Sequence, residues 1–242
     1  MRTVRIYEGL APLVPNENFT LSSDGFGHLI RVLRFKEGDK FVVFDGLGHE
    51  FNAVLTQVNK QAVALCLNSI EKNIESPLEI ELGQVISRGD KMEFTVQKAV
   101  ELGVTSITPL TSRRCSIKLD EKREEKKVEQ WQKIAISACE QCGRNYVPRI
   151  CKITDLNKWC AEKNPDVLSL TLDPKAQKKL KDLNNPKKIR LLIGPEGGLS
   201  EDEIENARLL GFEGISLGPR ILRTETAALT TLSILGSLFG DL

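Results

Sequence analysis

The sequence predicts an α/β protein in two parts, a small β domain over residues 1–72 and a larger domain over residues 78–242 built on a parallel sheet. Three observations carry this expectation. The first seventy-odd residues hold short β-like runs with no sustained helical period. From Leu78 onward, apolar strands alternate with amphipathic helices, the pattern of a parallel sheet flanked by helices. Between the two, residues 71–77 are polar and end on a proline, which marks a linker.

In the first part, residues 40–44 and 51–58 read as two strands joined through Asp45-Gly46, with a loop longer than two residues. Residues 61–67 supply a third run, and a small barrel or curled sheet protects strand edges in so short a segment. In the second part, residues 79–86 read as a strand. A helix follows from Asp90 to Leu102, with Asp90 as cap and Glu93 placed to answer it. Residues 106–110 form a short strand. Residues 121–142 form a long helix, with Val128, Trp131, Ile134, Ala135, Ala138 and Cys142 on one face and Gly143 at its end. Residues 166–172 and 189–193 are apolar strands. Ser200 and Glu203 spell a capping box for a helix through Leu210. A strand over 214–217 and a helix over 224–239 complete the chain.

Charge and composition exclude several classes. The 242 residues carry 34 Lys and Arg against 33 Asp and Glu, a net charge of +1, which argues against a sequence-blind polycation. With 28% charged and 40% hydrophobic residues, the chain reads as globular rather than disordered. No apolar run approaches the roughly 18 residues that span a bilayer. The N-terminus lacks the apolar centre of a signal peptide, so a cytoplasmic protein without a membrane partner is expected. Six cysteines suit a reducing compartment. Cys139 and Cys142 have metal or redox spacing, but no second pair follows, and His28 and His49 lie far off in sequence. Both cysteines are therefore read as filling a helix face, and no metal is expected.

The chemistry is expected where strands run into helices, because loop amides and helix N-termini converge there. One such junction is Ile193-Gly-Pro-Glu-Gly-Gly-Leu-Ser200, which fits neither the phosphate-loop nor the dinucleotide spacing. On its own it reads as a tight turn. A second junction, Leu217-Gly-Pro-Arg-Ile-Leu-Arg-Thr-Glu-Thr-Ala227, sets Arg220, Arg223 and Glu225 among apolar residues. It reads either as a ligand loop or as a salt-bridged helix start capped by Thr224. As neighbours at one sheet edge, the two junctions suit a ligand with an aromatic base and few phosphates.

These two junctions resemble the cofactor-binding signature of the RsmE family, bacterial 16S ribosomal RNA uridine N3-methyltransferases of the knotted SPOUT superfamily. The likeness extends over nearly the whole chain. His28-Leu-Ile-Arg-Val-Leu-Arg34, Gly38-Asp-Lys40 and Phe44-Asp-Gly46 resemble the family's PUA-like N-terminal domain. Residues 91–103 and Glu140-Gln-Cys-Gly-Arg144 also match in kind. The resemblance implies a PUA-like β-barrel, a SPOUT domain with a deep trefoil knot, and a homodimer whose active sites lie near the subunit interface. It implies S-adenosylmethionine as methyl donor, held by Leu172, Ile193, Gly194, Pro195, Glu196, Gly198, Leu217, Gly218, Ile221, Leu222, Arg223, Thr226 and Ala227. Two departures stand out. Gly27-His28 occupies a place where the family often has two histidines. In Ser112-Arg113-Arg114-Cys115-Ser116, Arg113 replaces a family Glu and is read as supporting the site rather than touching the reaction.

Methyl transfer to uridine N3 needs the N3 proton removed or negative charge stabilised on the uracil oxygens. Arginine suits the second task. Arg223 is the first candidate and Arg220 the second; Glu196 or Glu225 orients them or acts as base, and the residues do not choose. Arg31, Arg34 and Lys36 are expected on RNA phosphates, with Arg88, Lys91, Arg113, Arg114 and Arg144 extending the track. The expected partner is 16S ribosomal RNA or the assembled small subunit. Other readings remain: a knotted enzyme acting on another RNA, a non-catalytic RNA-binding protein, and a nucleotide-phosphate enzyme that lacks the usual lysine.

Overall fold

The structure is a computed structural model that describes residues 3–9, 12–115, 120–162 and 164–242. The chain divides into two compact units, Met1–Glu75 with Cys139–Val147, and Ser76–Ala138 with Pro148–Leu242. The short segment from the end of the long helix is thus counted with the first unit rather than the second.

The first unit is built on a five-stranded sheet of β1 (Arg5–Tyr7), β2 (Asn18–Thr20), β3 (Lys40–Phe44), β4 (Glu50–Val58) and β5 (Ala62–Ser69), in the order β1-β3-β4-β5-β2. β1 runs parallel to β3, and the other pairs are antiparallel. Alternation on β4 and β5 buries Phe51, Ala53, Leu55, Ala62, Ala64 and Cys66. Sequence patterning misses β1 and β2 because three residues carry too little period. It also misses α1 (Ser23–Phe26) and the π-helical stretch Gly27–Val32 that continues it. Ser22 caps α1 by accepting from the Gly25 amide, and Leu29 anchors the helical stretch in the core.

In the second unit the elements are β6 (Glu79–Val85), α2 (Lys91–Glu101), β7 (Ser106–Thr111), α3 (Glu121–Cys142, its last turn counted above), β8 (Arg149–Ile150), β9 (Thr154–Asp155), α4 (Leu156–Ala161), β10 (Leu168–Leu172), β11 (Lys188–Ile193), α5 (Glu201–Leu209), β12 (Glu213–Ile215) and α6 (Thr224–Phe239). The sheet order is β12-β10-β11-β6-β7-β8, with β9 also on β7, and every described pairing is parallel. β11 lies between two parallel neighbours, which is why Ile189, Leu191, Leu192 and Ile193 form a continuous buried run. The Trp159 ring lies on Gly83, where a Cβ would stand 2.6 Å from the ring. Arg190 lies over that ring at 4.0 Å and donates to the Trp159 and Glu162 carbonyls.

One local expectation needs correction. The capping box at the start of α2 is not formed: the Asp90 side chain makes no cap bond, and Glu93 accepts from Lys127 and Gln130 instead. Tertiary partners have taken the carboxylate. α4 escapes the sequence pattern because six residues give under two turns, and Asp155 caps it through the Asn157 and Lys158 amides. The box at α5 does form, Ser200 and Glu203 bonding reciprocally.

Candidate active site

Because the sheet is parallel, the loops after β10, β11 and β12 open on one edge. β12, β10 and β11 are neighbours, and their C-terminal ends enclose a pocket of about 290 Å³. Its lining draws on Leu172 to Pro174, on the Gly194 loop and on the Gly218 loop. The two glycine-bearing junctions therefore meet in one site. What joins them is Thr224, the first residue of α6 and only 5% exposed. Its hydroxyl donates to the Gly194 carbonyl at 2.6 Å and accepts from Gln84 Nε2 at 3.0 Å. Thr224 is thus not the helix cap; Arg223 occupies that position without a side-chain cap bond.

Glycine is required here by close approach. A Cβ on Gly194 would stand 3.0 Å from Leu199 Cγ and 3.2 Å from the Leu199 amide nitrogen. Gly198 and Gly218 have φ of 66° and 120°, a region that side chains resist.

The lining contains Leu172, Ile193, Gly194, Pro195, Glu196, Gly198, Leu217, Gly218, Ile221, Leu222 and Ala227 from the sequence-based set, and Arg220 as well. Arg223 and Thr226 fall outside it, because the turn of α6 that brings Ala227 to the pocket leaves both exposed. Asp173, Pro174, Leu199, Ile204 and Ile215 line the pocket without having been singled out, and Thr224 lines it although it was read only as a helix cap. For Asp173 a signal existed, since it directly follows an apolar strand as the glycine loops do.

Glu196 is not a free base. It accepts from the Arg88 amide at 2.9 Å and faces Lys91 Nζ at 3.4 Å. Partial burial pushes its carboxyl up, but the Arg88 amide, its own amide and Lys91 outweigh this and hold it below the ordinary range. Glu225 Oε2 lies 4.0 Å from the same ammonium. Lys91 therefore sits between the acids of the two junctions, and its charge is already engaged. Arg114 is engaged too, donating to the carbonyls of Gly197 at 2.9 Å and Leu199 at 3.4 Å. Arg113 pairs with Asp202 at 2.7 Å on the surface, and its amide donates to Glu203. Ser116 lies outside the described residues. By contrast, Arg220 and Arg223 are exposed and make no ion pair among the described residues. Cations at the start of α6 oppose its dipole, an arrangement suited to an arriving anion.

In the first unit, Arg31, Arg34 and Lys36 are all exposed beside the π-helical stretch. Arg34 holds a left-handed φ of 59°, and the Arg31 guanidinium lies over Phe26. Arg144 departs from the expected basic track. It is 5% exposed, its Nε donates to Glu75 at 3.0 Å, and its carbonyl accepts from Arg5. Burial and pairing give it an internal role. Burial also pushes the Cys139 thiol up to about 12, which leaves it an unreactive core group. No helix among the described residues is long and apolar enough to cross a membrane.

Residues 74–236 match the RNA methyltransferase domain, and residues 21–65 match the RNA methyltransferase PUA domain. A ribosomal RNA small subunit methyltransferase E from Buchnera aphidicola (subsp. Schizaphis graminum) is 41% identical over 94% of this chain and 93% of its own. That of Bacillus subtilis is 35% identical over 89% and 88%. Among solved structures, a methyltransferase of Legionella pneumophila in complex with bound SAM superposes with a TM-score of 0.96 at 43% identity, covering both chains fully. The ribosomal RNA small subunit methyltransferase E of Neisseria gonorrhoeae, bound to S-adenosyl methionine, gives 0.92 at 38%, again over both chains in full. The chain belongs to the ribosomal RNA small subunit methyltransferase E family, as the resemblance in its two junctions implied.

Proposed function

We propose that this protein is an S-adenosylmethionine-dependent methyltransferase acting on 16S ribosomal RNA at N3 of a uridine, working in the cytoplasm as a homodimer. The observation that carries the reading is the meeting of the Gly194 and Gly218 junctions in one pocket, latched by Thr224. The pocket fits the methyl donor: apolar side chains suit an adenine ring, and bare backbone at the glycines allows close approach. Leu172, Ile193, Gly194, Leu217 and Leu222 would hold it. When bound, the donor supplies an electrophilic methyl group on a sulfonium.

Arg220 and Arg223 offer guanidinium donors to charge developing on the uracil oxygens as N3 loses its proton. Glu196, ionised and tied to Arg88 and Lys91, orients the loop; Glu225 is the remaining candidate to accept the N3 proton. Residues 78–242 form the catalytic domain, in which the C-terminal segment threads a loop as a trefoil knot. The return of Thr224 from beyond edge strand β12 to Gly194, just after the central strand β11, and to Gln84 of β6 supports that path. Residues 1–72 form a PUA-like barrel that holds RNA through Arg31, Arg34 and Lys36. The solvent exposure of all three residues supports this role.

The test is single-turnover methylation of 16S ribosomal RNA by Arg220→Ala and Arg223→Ala, with donor affinity measured separately. A loss of about 10²-fold in the chemical step is expected. Unchanged chemistry in both variants removes the arginines from the reaction.

A further inference from the structure

Asp173 follows β10 at the open edge of the sheet and lines the pocket while only 7% exposed. Its backbone is fixed, the amide donating to the Ile215 carbonyl at 3.0 Å. Its Oδ1 accepts from the Lys175 amide at 2.8 Å. Oδ2 has no hydrogen-bond partner among the described residues, and it is not one of the buried polar atoms sealed from solvent. It therefore keeps an open acceptor in the pocket wall. Across from it lies Gly214 of β12, where a Cβ would sit 3.3 Å from Asp173 Cβ and 3.6 Å from Oδ2. Water can serve that oxygen in the open pocket, and a bound ligand that excludes the water must bring a donor in its place.

The other two charged side chains of the lining, Glu196 and Arg220, are exposed. The strongly hydrated amino-acid end of the donor belongs with them. The neutral, donor-rich part of the nucleoside belongs with the buried acid. We infer that Asp173 binds the ribose hydroxyls of the adenosine moiety through Oδ2, an inference that rests on the pocket being the S-adenosylmethionine site. A hydroxyl that loses its carboxylate partner loses this bond outright, so the contact sets selectivity for a ribonucleoside over its deoxy form.

The test is isothermal titration of the full chain and of Asp173→Asn with four ligands: S-adenosylmethionine, S-adenosylhomocysteine, 5′-methylthioadenosine and 5′-methylthio-2′-deoxyadenosine. Asparagine keeps an oxygen for the Lys175 amide. The variant is expected to lose about ten- to hundredfold in affinity for all three ribonucleosides alike. The parent should discriminate against the deoxy ligand, and the variant should not. A loss confined to S-adenosylmethionine would place Asp173 at the sulfonium, and a loss that spares 5′-methylthioadenosine would place it at the amino-acid end. Either result overturns the inference, as does no loss at all. Should the variant fail to fold, equal binding of ribo- and deoxy-nucleosides by the parent overturns it. A parent that binds none of the four ligands refutes the methyltransferase reading instead.

Discussion

Replacing Thr224 by valine tests the latch directly, because valine keeps the shape and removes only the hydroxyl. Two bonds disappear, the 2.6 Å donation to Gly194 and the 3.0 Å acceptance from Gln84. Gln84 is fully buried, but its Nε2 keeps the Val85 carbonyl at 2.9 Å, so its loss is partial. The Gly194 carbonyl belongs to a half-buried residue on the pocket wall, where water can replace the lost donor. At about 1 kcal/mol per bond, the variant should lose about 2 kcal/mol of stability. In a domain of this size that is a fall of about 4–8 °C in Tm, read by scanning calorimetry. Donor affinity should fall with it, since the loop carrying Gly194 is no longer tied to α6. Thr224→Ser keeps both bonds and should stay close to the parent. If Thr224→Val melts within about 1 °C of Thr224→Ser and binds the donor equally, the hydroxyl is not what joins the junctions.

Three other outcomes are expected. Gly83→Ala should cost about 1–3 kcal/mol by overpacking, because its Cβ meets the Trp159 ring at 2.6 Å and Arg190 flanks that ring; an unchanged Tm would contradict this. In the first unit, burial pushes Glu8 up to about 7, against hydrogen bonds from Ser22 and with help from Glu140 and Asp24. The folded state therefore holds a proton that the unfolded chain has released, and stability should fall as pH rises from the ordinary carboxylate range to about 7. Melting curves of Glu8→Gln between pH 5 and pH 8, about the span of this titration, should be flatter than the parent's, and parallel curves would count against the assignment. Arg31→Glu with Arg34→Glu should weaken binding to a 16S ribosomal RNA fragment and flatten its salt dependence by about 1.4 in log–log slope. Normal affinity in filter binding would remove both from the RNA surface.

Much of the second unit was legible because its signals are local. β11 reads as a buried strand since its residues are apolar on both faces, and the helix after it is announced by Ser200 and Glu203, three residues apart. The glycines around 194 and 218 mark sharp strand-to-helix turns for the same reason. β8, β9 and α4 were invisible because elements of two to six residues carry no period. Asp90 and Glu93 looked like a cap, yet Lys127 and Gln130, more than thirty residues on, took the carboxylate.

By itself, then, the amino-acid order determined the longer strands and helices and the sharp glycine turns between them, since both depend on neighbours a few residues away. Only the tertiary structure decided that Thr224 reaches Gly194 across 30 positions, that Arg144 is spent on Glu75 across 69, and that Asp173 stands buried in the pocket wall. Those facts rest on which loops the parallel sheet brings to one edge, and strand order is a long-range outcome of packing that no local spacing encodes.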